Sequence, residues 1–159
     1  MAKRGRAARR APTNTHSIFE RERQEFLDRL RNNGLSAEPV YDTKGALHGK
    51  VIDEDNQLFK VGRSPFFFHF KSRGGIRSGI HPSDIDTIKT VARTLEIPGT
   101  SLYFVVGFFG RGDPGKRQFF VIPFERLYLY KYGDNDTYRF SLKYCRVSTR
   151  WGAHITFEI

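Results

Sequence analysis

Apolar positions recur along this chain at two spacings, and each spacing predicts a different kind of element. From Thr15 to about Asn32, the residues Ile18, Phe19, Phe26, Leu27 and Leu30 share one face at the helical period. Asn14 or Thr15 is placed to cap this helix and Gly34 to close it. From Ser36 the pattern shortens to strands broken by turns: Ala37–Tyr41, His48–Ile52, Gln57–Val61 and Pro65–Lys71. Such a series reads as an antiparallel meander. A glycine-rich basic loop, Ser72–Gly79, follows. Ser83, with Asp86 three positions on, predicts the cap of a second helix running to about Leu95 and burying Ile85, Ile88, Val91, Ala92 and Leu95. Leu102–Phe109 is a continuous apolar run, expected of a strand covered on both faces, and Phe119–Phe124 is the next strand. Alternation through Leu127, Leu129 and the tyrosines 128, 130 and 132 predicts a further strand, then a turn at 133–136, a return over Tyr138–Tyr144 and a last strand over His154–Ile159.

Within this pattern the run Phe66-Phe67-Phe68-His69-Phe70-Lys71 stands out. Side chains alternate along a strand, so His69 and Lys71 share one face while Phe68 and Phe70 share the other. Either the pair marks where the strand leaves the core, or two groups capable of chemistry have been brought to one side of a buried strand.

Composition narrows the class. A chain of 159 residues with 38% hydrophobic content, 15 Phe and 7 Tyr is expected to form one globular domain. No apolar run approaches the roughly 18 residues that cross a bilayer, and no apolar segment follows the N-terminal arginines, so a soluble intracellular (cytoplasmic) protein with no membrane partner is expected. The one cysteine, Cys145, excludes an internal disulfide framework and a cysteine-rich zinc site; a buried thiol is the expected state. The formal net charge is +10, and Lys3, Arg4, Arg6, Arg9 and Arg10 supply half of it with no acid in residues 1–12. Residues 1–13 read as a flexible basic arm, and the excess charge points to a nucleic-acid partner, since neutralising phosphates releases counterions. A solubilising tail is the plainer alternative.

The order helix, meander, strand ending in Lys, helix, buried strand, strand resembles the core of the PD-(D/E)xK nuclease superfamily, and within it the small Holliday junction resolvases. The likeness covers about residues 15–130. It implies an α/β, restriction-endonuclease-like αβββαβ core over residues 14–130, with a mixed central sheet flanked by helices, and residues 131–159 as a C-terminal β extension of the same domain. It further implies a metal-dependent endonuclease acting on DNA, including branched DNA, and a homodimer able to cut two strands symmetrically. In the family a first-helix carboxylate, an Asp at a strand start and a Glu-x-Lys bind divalent metal. The corresponding residues would be Glu22, with Glu20 and Glu25 behind it; Asp55, with Asp53 the alternative; and His69-Phe70-Lys71. Asp55, Asp53 and His69 would be the metal ligands, the metal being Mg or Mn, and Lys71 would orient the attacking water.

His69 departs from the family pattern. Magnesium prefers oxygen donors, whereas an imidazole suits manganese or another transition metal. The missing acid could instead be supplied by Asp84 or Asp86, or the scaffold could bind nucleic acid without cutting it. Arg73 and Arg77, flanking glycines 74 and 75, could grip phosphates, with a plain connector as the alternative. Tyr128, Tyr130, Tyr138, Tyr144 and Trp151 could stack bases or could simply pack a sheet. His16, His48, His81 and His154 lack metal-ligand spacing and read as structural or surface residues.

Overall fold

A computed structural model describes residues 3–41, 43–53, 65–73, 77–109, 117–132, 137–143, 145 and 157–158; side chains are described from Ile18 onward, except at 73, 77, 132, 157 and 158. In chain order the elements are α1 (Lys3–Asn32), β1 (Ser36–Pro39), β2 (Gly49–Ile52), β3 (Phe66–Arg73), β4 (Arg77–Ile80), α2 (Pro82–Thr94), a 3-10 turn Gly99–Ser101, β5 (Leu102–Phe108), β6 (Gln118–Pro123), a 3-10 helix Phe124–Tyr130, β7 (Lys131–Tyr132), β8 (Thr137–Ser141) and β9 (Phe157–Glu158).

The main sheet has the order β1-β2-β3-β5-β6-β9. β1, β2 and β3 pair antiparallel, β3 and β5 pair parallel, and β6 pairs antiparallel with β5 and with β9. The parallel pair requires a crossover, and α2 lies within it. A second sheet, β4-β8-β7, carries most of the described C-terminal extension. The architecture is thus the expected mixed α/β one, a central mixed sheet flanked by helices.

Strict alternation splits the core into two layers. Phe66, Phe68, Phe70, Tyr103, Val105, Phe119 and Val121 meet Phe26, Leu27 and Leu30 of α1. On the other face Leu102, Phe104, Val106, Phe108, Phe120 and Ile122 meet Ile85, Ile88 and Ala92 of α2. Every residue of β5 is buried, as its apolar run required.

Some expectations shift. The helix starts at Lys3 rather than near Thr15, so the backbone of residues 3–13 is helical; its alanines and arginines are strong helix formers. The cap of α2 is His81, whose imidazole accepts from the Ser83 N–H, with Pro82 in the first turn. Residues Phe124–Tyr130 form a 3-10 helix instead of a strand. Phe124, Leu127 and Tyr130 are its buried residues, a spacing of three that matches the three residues per 3-10 turn. The glycine-rich loop contracts, because β3 runs on to Arg73 and β4 begins at Arg77. The expected strand Gln57–Val61 and the turn at 133–136 lie outside the described residues.

Candidate functional site

The C-terminal half of β3 is where three parts of the chain meet. Alternation sends His69 and Lys71 to the α2 side of the sheet and Ser72, like Phe70, to the α1 side. The segment just before β2 comes alongside, because β2 runs antiparallel to β3. Between these parts lies an open cavity of about 640 Å³ whose walls include Glu22, Lys44, His48, His69, Lys71 and Asp84. In open sheets with parallel strands, ligands gather beyond the carboxyl ends of those strands.

The loop ahead of β2 is built to hold one carbonyl. Thr43 Oγ1 donates to the Leu47 carbonyl at 2.9 Å and accepts the Leu47 N–H at 3.0 Å. The Ala46 N–H donates to the Thr43 carbonyl at 3.0 Å. Lys44 and Gly45 both take left-handed backbone angles, with φ of 56° and 78°. That conformation is awkward for a lysine and sits at the lip of the cavity. The Ala46 carbonyl so placed accepts from His69 Nδ1 at 2.8 Å. Since a carbonyl can only accept, Nδ1 carries the proton, and in the neutral ring Nε2 carries the lone pair. The ring is held by stacking on Phe104, with centroids 5.7 Å apart and planes 11° apart.

His48 is the neighbour that the sequence reading set aside. Its Nδ1 accepts the Phe70 N–H at 2.7 Å, and its ring lies 4.4 Å from that of His69 and 4.9 Å from that of Phe19. Burial pushes its pKa down to about 3, helped by the charges of His69 and Arg23 and opposed by a backbone hydrogen bond at Gly45. Burial also lowers the pKa of His69; the Ala46 hydrogen bond opposes this, Lys71 adds to it and Asp84 opposes it. Near neutral pH the pocket therefore presents two uncharged imidazoles.

The acids are arranged differently from the expectation. Glu22 comes from the α1 side, where Ser72 Oγ donates to its Oε1. Asp84, in the first turn of α2, comes from the other side, near enough to act on His69. Asp53 is buried but follows the far end of β2. From the register Val51↔Phe66, roughly 20 Å of strand separates it from Lys71. An antiparallel partner brings the residues before β2 beside Lys71 and carries those after β2 away. Asp55 lies outside the described residues. Of the reserve acids, Glu20 pairs with Arg23 at 2.6 Å, and Glu25 is held by Arg117 and, at 3.8 Å, by Arg29.

Among the described residues no three His, Cys, Asp or Glu side chains gather as metal ligands would. Two neutral imidazoles, one of them bonded to the sheet backbone through Nδ1, with carboxylates arriving from opposite faces, do not fit a hard magnesium ion.

Of the proposed nucleic-acid contacts, Arg73 ends β3 and Arg77 opens β4, while Lys3, Arg4, Arg6, Arg9 and Arg10 lie on the first turns of α1; all their side chains fall outside the description. Tyr130 is core, packed on Phe140, and Tyr128 is exposed. Tyr144 and Trp151 lie outside the described residues. Cys145 is a buried free thiol whose pKa burial pushes up to about 12, with a hydrogen bond from Tyr130 opposing. Among the described residues no helix is long and apolar enough to cross a membrane.

No protein-family model and no curated protein matches this sequence. Among solved structures, a Holliday junction resolvase from the archaeal hyperthermophile Archaeoglobus fulgidus is similar to 78% of this chain over 88% of its own length, with a TM-score of 0.48 and 12% identity.

Proposed function

We propose that this chain is a nucleic-acid-binding protein on a resolvase-like scaffold, with the cavity at the end of β3 receiving a backbone phosphate. The observation that carries this reading is the pocket itself: Lys71 shares its walls with Lys44, with His48 and with His69, which stands where the resemblance would place an acid. A net charge of +10 supports a polyanionic partner. Lys71 supplies a positive charge on a strand packed by phenylalanines.

A second reading, a divalent-metal-dependent endonuclease acting on DNA, including branched DNA, is favoured by one arrangement: Lys71, Glu22 and Asp84 all border the same cavity. It requires a further carboxylate, for which Asp55 stands as the proposed source, and a manganese-tolerant site. A homodimer goes with this reading, since two symmetric cuts suit a two-fold pair.

The two readings separate in one experiment. Fluorescence anisotropy with junction, duplex and single-stranded DNA and with RNA is run in EDTA and again with Mg or Mn. Binding that persists in EDTA, weakens about tenfold or more in Lys71→Ala and leaves DNA intact with metal present supports the binder. DNA cleavage that appears with metal and disappears in Lys71→Ala supports the endonuclease. No binding to any of these nucleic acids overturns both.

A further inference from the structure

We infer that the His69–Lys71 face of the pocket cleaves RNA by internal transphosphorylation, without a metal ion. The inference rests on the nucleic-acid reading above and adds a substrate class and a reaction to it.

The geometry supplies the groups. His69 Nδ1 is committed to the Ala46 carbonyl, so the lone pair stands on Nε2, the state a general base needs. Stacking on Phe104 and the His48 ring at 4.4 Å restrict the imidazole to one orientation. Lys71 follows two residues later on the same face, and both side chains line the cavity. Asp84, from α2, is the acid whose charge reaches His69, and Lys44 borders the opening. A positioned base and an ammonium group supply the proton transfer and the charge stabilisation that reaction at phosphorus calls for.

The chemistry then selects the substrate. Hydrolysis of a DNA phosphodiester by water gains most from a metal ion that lowers the pKa of that water. A ribose carries its own nucleophile next to the phosphorus, where proximity replaces activation. His69 Nε2 takes the proton from the 2′-hydroxyl as the 2′-oxygen–phosphorus bond forms. The bond from phosphorus to the 5′-oxygen breaks, and the leaving oxygen takes a proton from the Lys71 ammonium; the proton held on His69 then returns to Lys71 through solvent, so both groups regain their starting state. The products are a 2′,3′-cyclic phosphate and a 5′-hydroxyl. The step consumes no oxidant, reductant or co-reactant.

The test uses the full chain, a 5′-labelled single-stranded RNA and the all-deoxy strand of the same sequence, in EDTA. The expected result is binding of both strands and cleavage of the RNA alone, leaving cyclic phosphate ends. A single 2′-O-methyl group is expected to block the bond that follows it. His69→Asn, which keeps an N–H donor for Ala46 but no ring base, is expected to cut RNA about 100-fold or more slowly at saturating protein; purified in parallel, it also reports any contaminating ribonuclease. RNA that is bound but left intact overturns this inference alone, as do equal cutting by His69→Asn and products ending in 5′-phosphate. Failure to bind either strand overturns the nucleic-acid reading beneath it.

Discussion

The backbone N–H of Phe70 donates to Nδ1 of His48 at 2.7 Å, so a side chain rather than a strand carbonyl satisfies this β3 donor. The bond exists only while that nitrogen is unprotonated, and the energetics of the sheet are thereby tied to the charge state of His48.

The sign of the resulting pH dependence follows directly. His48 has its folded pKa depressed from 6.5 to about 3, so the unfolded chain binds a proton through a range in which the folded chain does not. The stability it supports is complete above the unfolded pKa and is lost as pH falls toward the folded one. Between pH 7 and pH 5 this amounts to about 2 kcal/mol, with His69 acting in the same direction. Urea denaturation at several pH values checks it. His48→Asn, which can still accept from Phe70, is expected to flatten the profile over that interval; an unchanged slope would remove His48 as its source.

Gly49 is needed because the Phe68 ring lies across it. A Cβ at this position would stand 2.1 Å from the ring, whose edge-on packing against Phe26 lies in the α1 layer. Gly49→Ala is expected to destabilise the fold by about 1–3 kcal/mol, the usual range for overpacking. Equilibrium unfolding measures it, and the paired variant Gly49→Ala with Phe68→Leu should recover part of the loss.

Arg117 joins the segment before β6 to α1 through Glu25, and its guanidinium lies 5.4 Å from the centre of the Phe109 ring. Both partners of the ion pair are only about one-quarter exposed, so it is screened less than a surface pair. A double-mutant cycle with Arg117→Met and Glu25→Gln is expected to give a coupling of about 1 kcal/mol. A coupling near zero would leave Arg117 as packing alone.

Cys145 lies in the α2-side core with its thiol pKa raised to about 12. A thiol-specific reagent at pH 8 is expected to modify the native protein at least about 100-fold more slowly than the urea-unfolded chain, because the thiolate is the reacting form. Equal rates in the two states would place the thiol at the surface.

Much of this fold was legible where one spacing ran without interruption. The period-two alternation of Phe66 to Lys71 assigned each side chain its face, and the unbroken apolar run assigned β5 its two covers. The 3-10 helix was not legible as such, because Leu127, Leu129 and the intervening tyrosines also alternate, and only burial reveals the spacing of three. The site divided the same way. Of the residues that border the cavity, Lys71, His69 and Glu22 could be named from their own elements, but His48 depended on which end of β2 lies beside Lys71, a matter of strand direction rather than sequence distance. For that reason Asp53, beyond the far end of β2, lies away from the pocket, while Asp84, on the next helix, borders it.

The parallel pairing of β3 with β5 also bears on how the chain reaches this state. Phe67 pairs with Leu102 and Arg73 with Phe108, so the central strand acquires one neighbour only after an intervening stretch that includes β4 and α2 has folded back across it. Antiparallel β2 and β3 are closer in sequence and close a shorter loop. The rate of folding is thus expected to be governed by the β3–β5 closure, with its long sequence separation. Conservative truncations in β5, such as Val105→Ala, should slow refolding in proportion to the stability they remove.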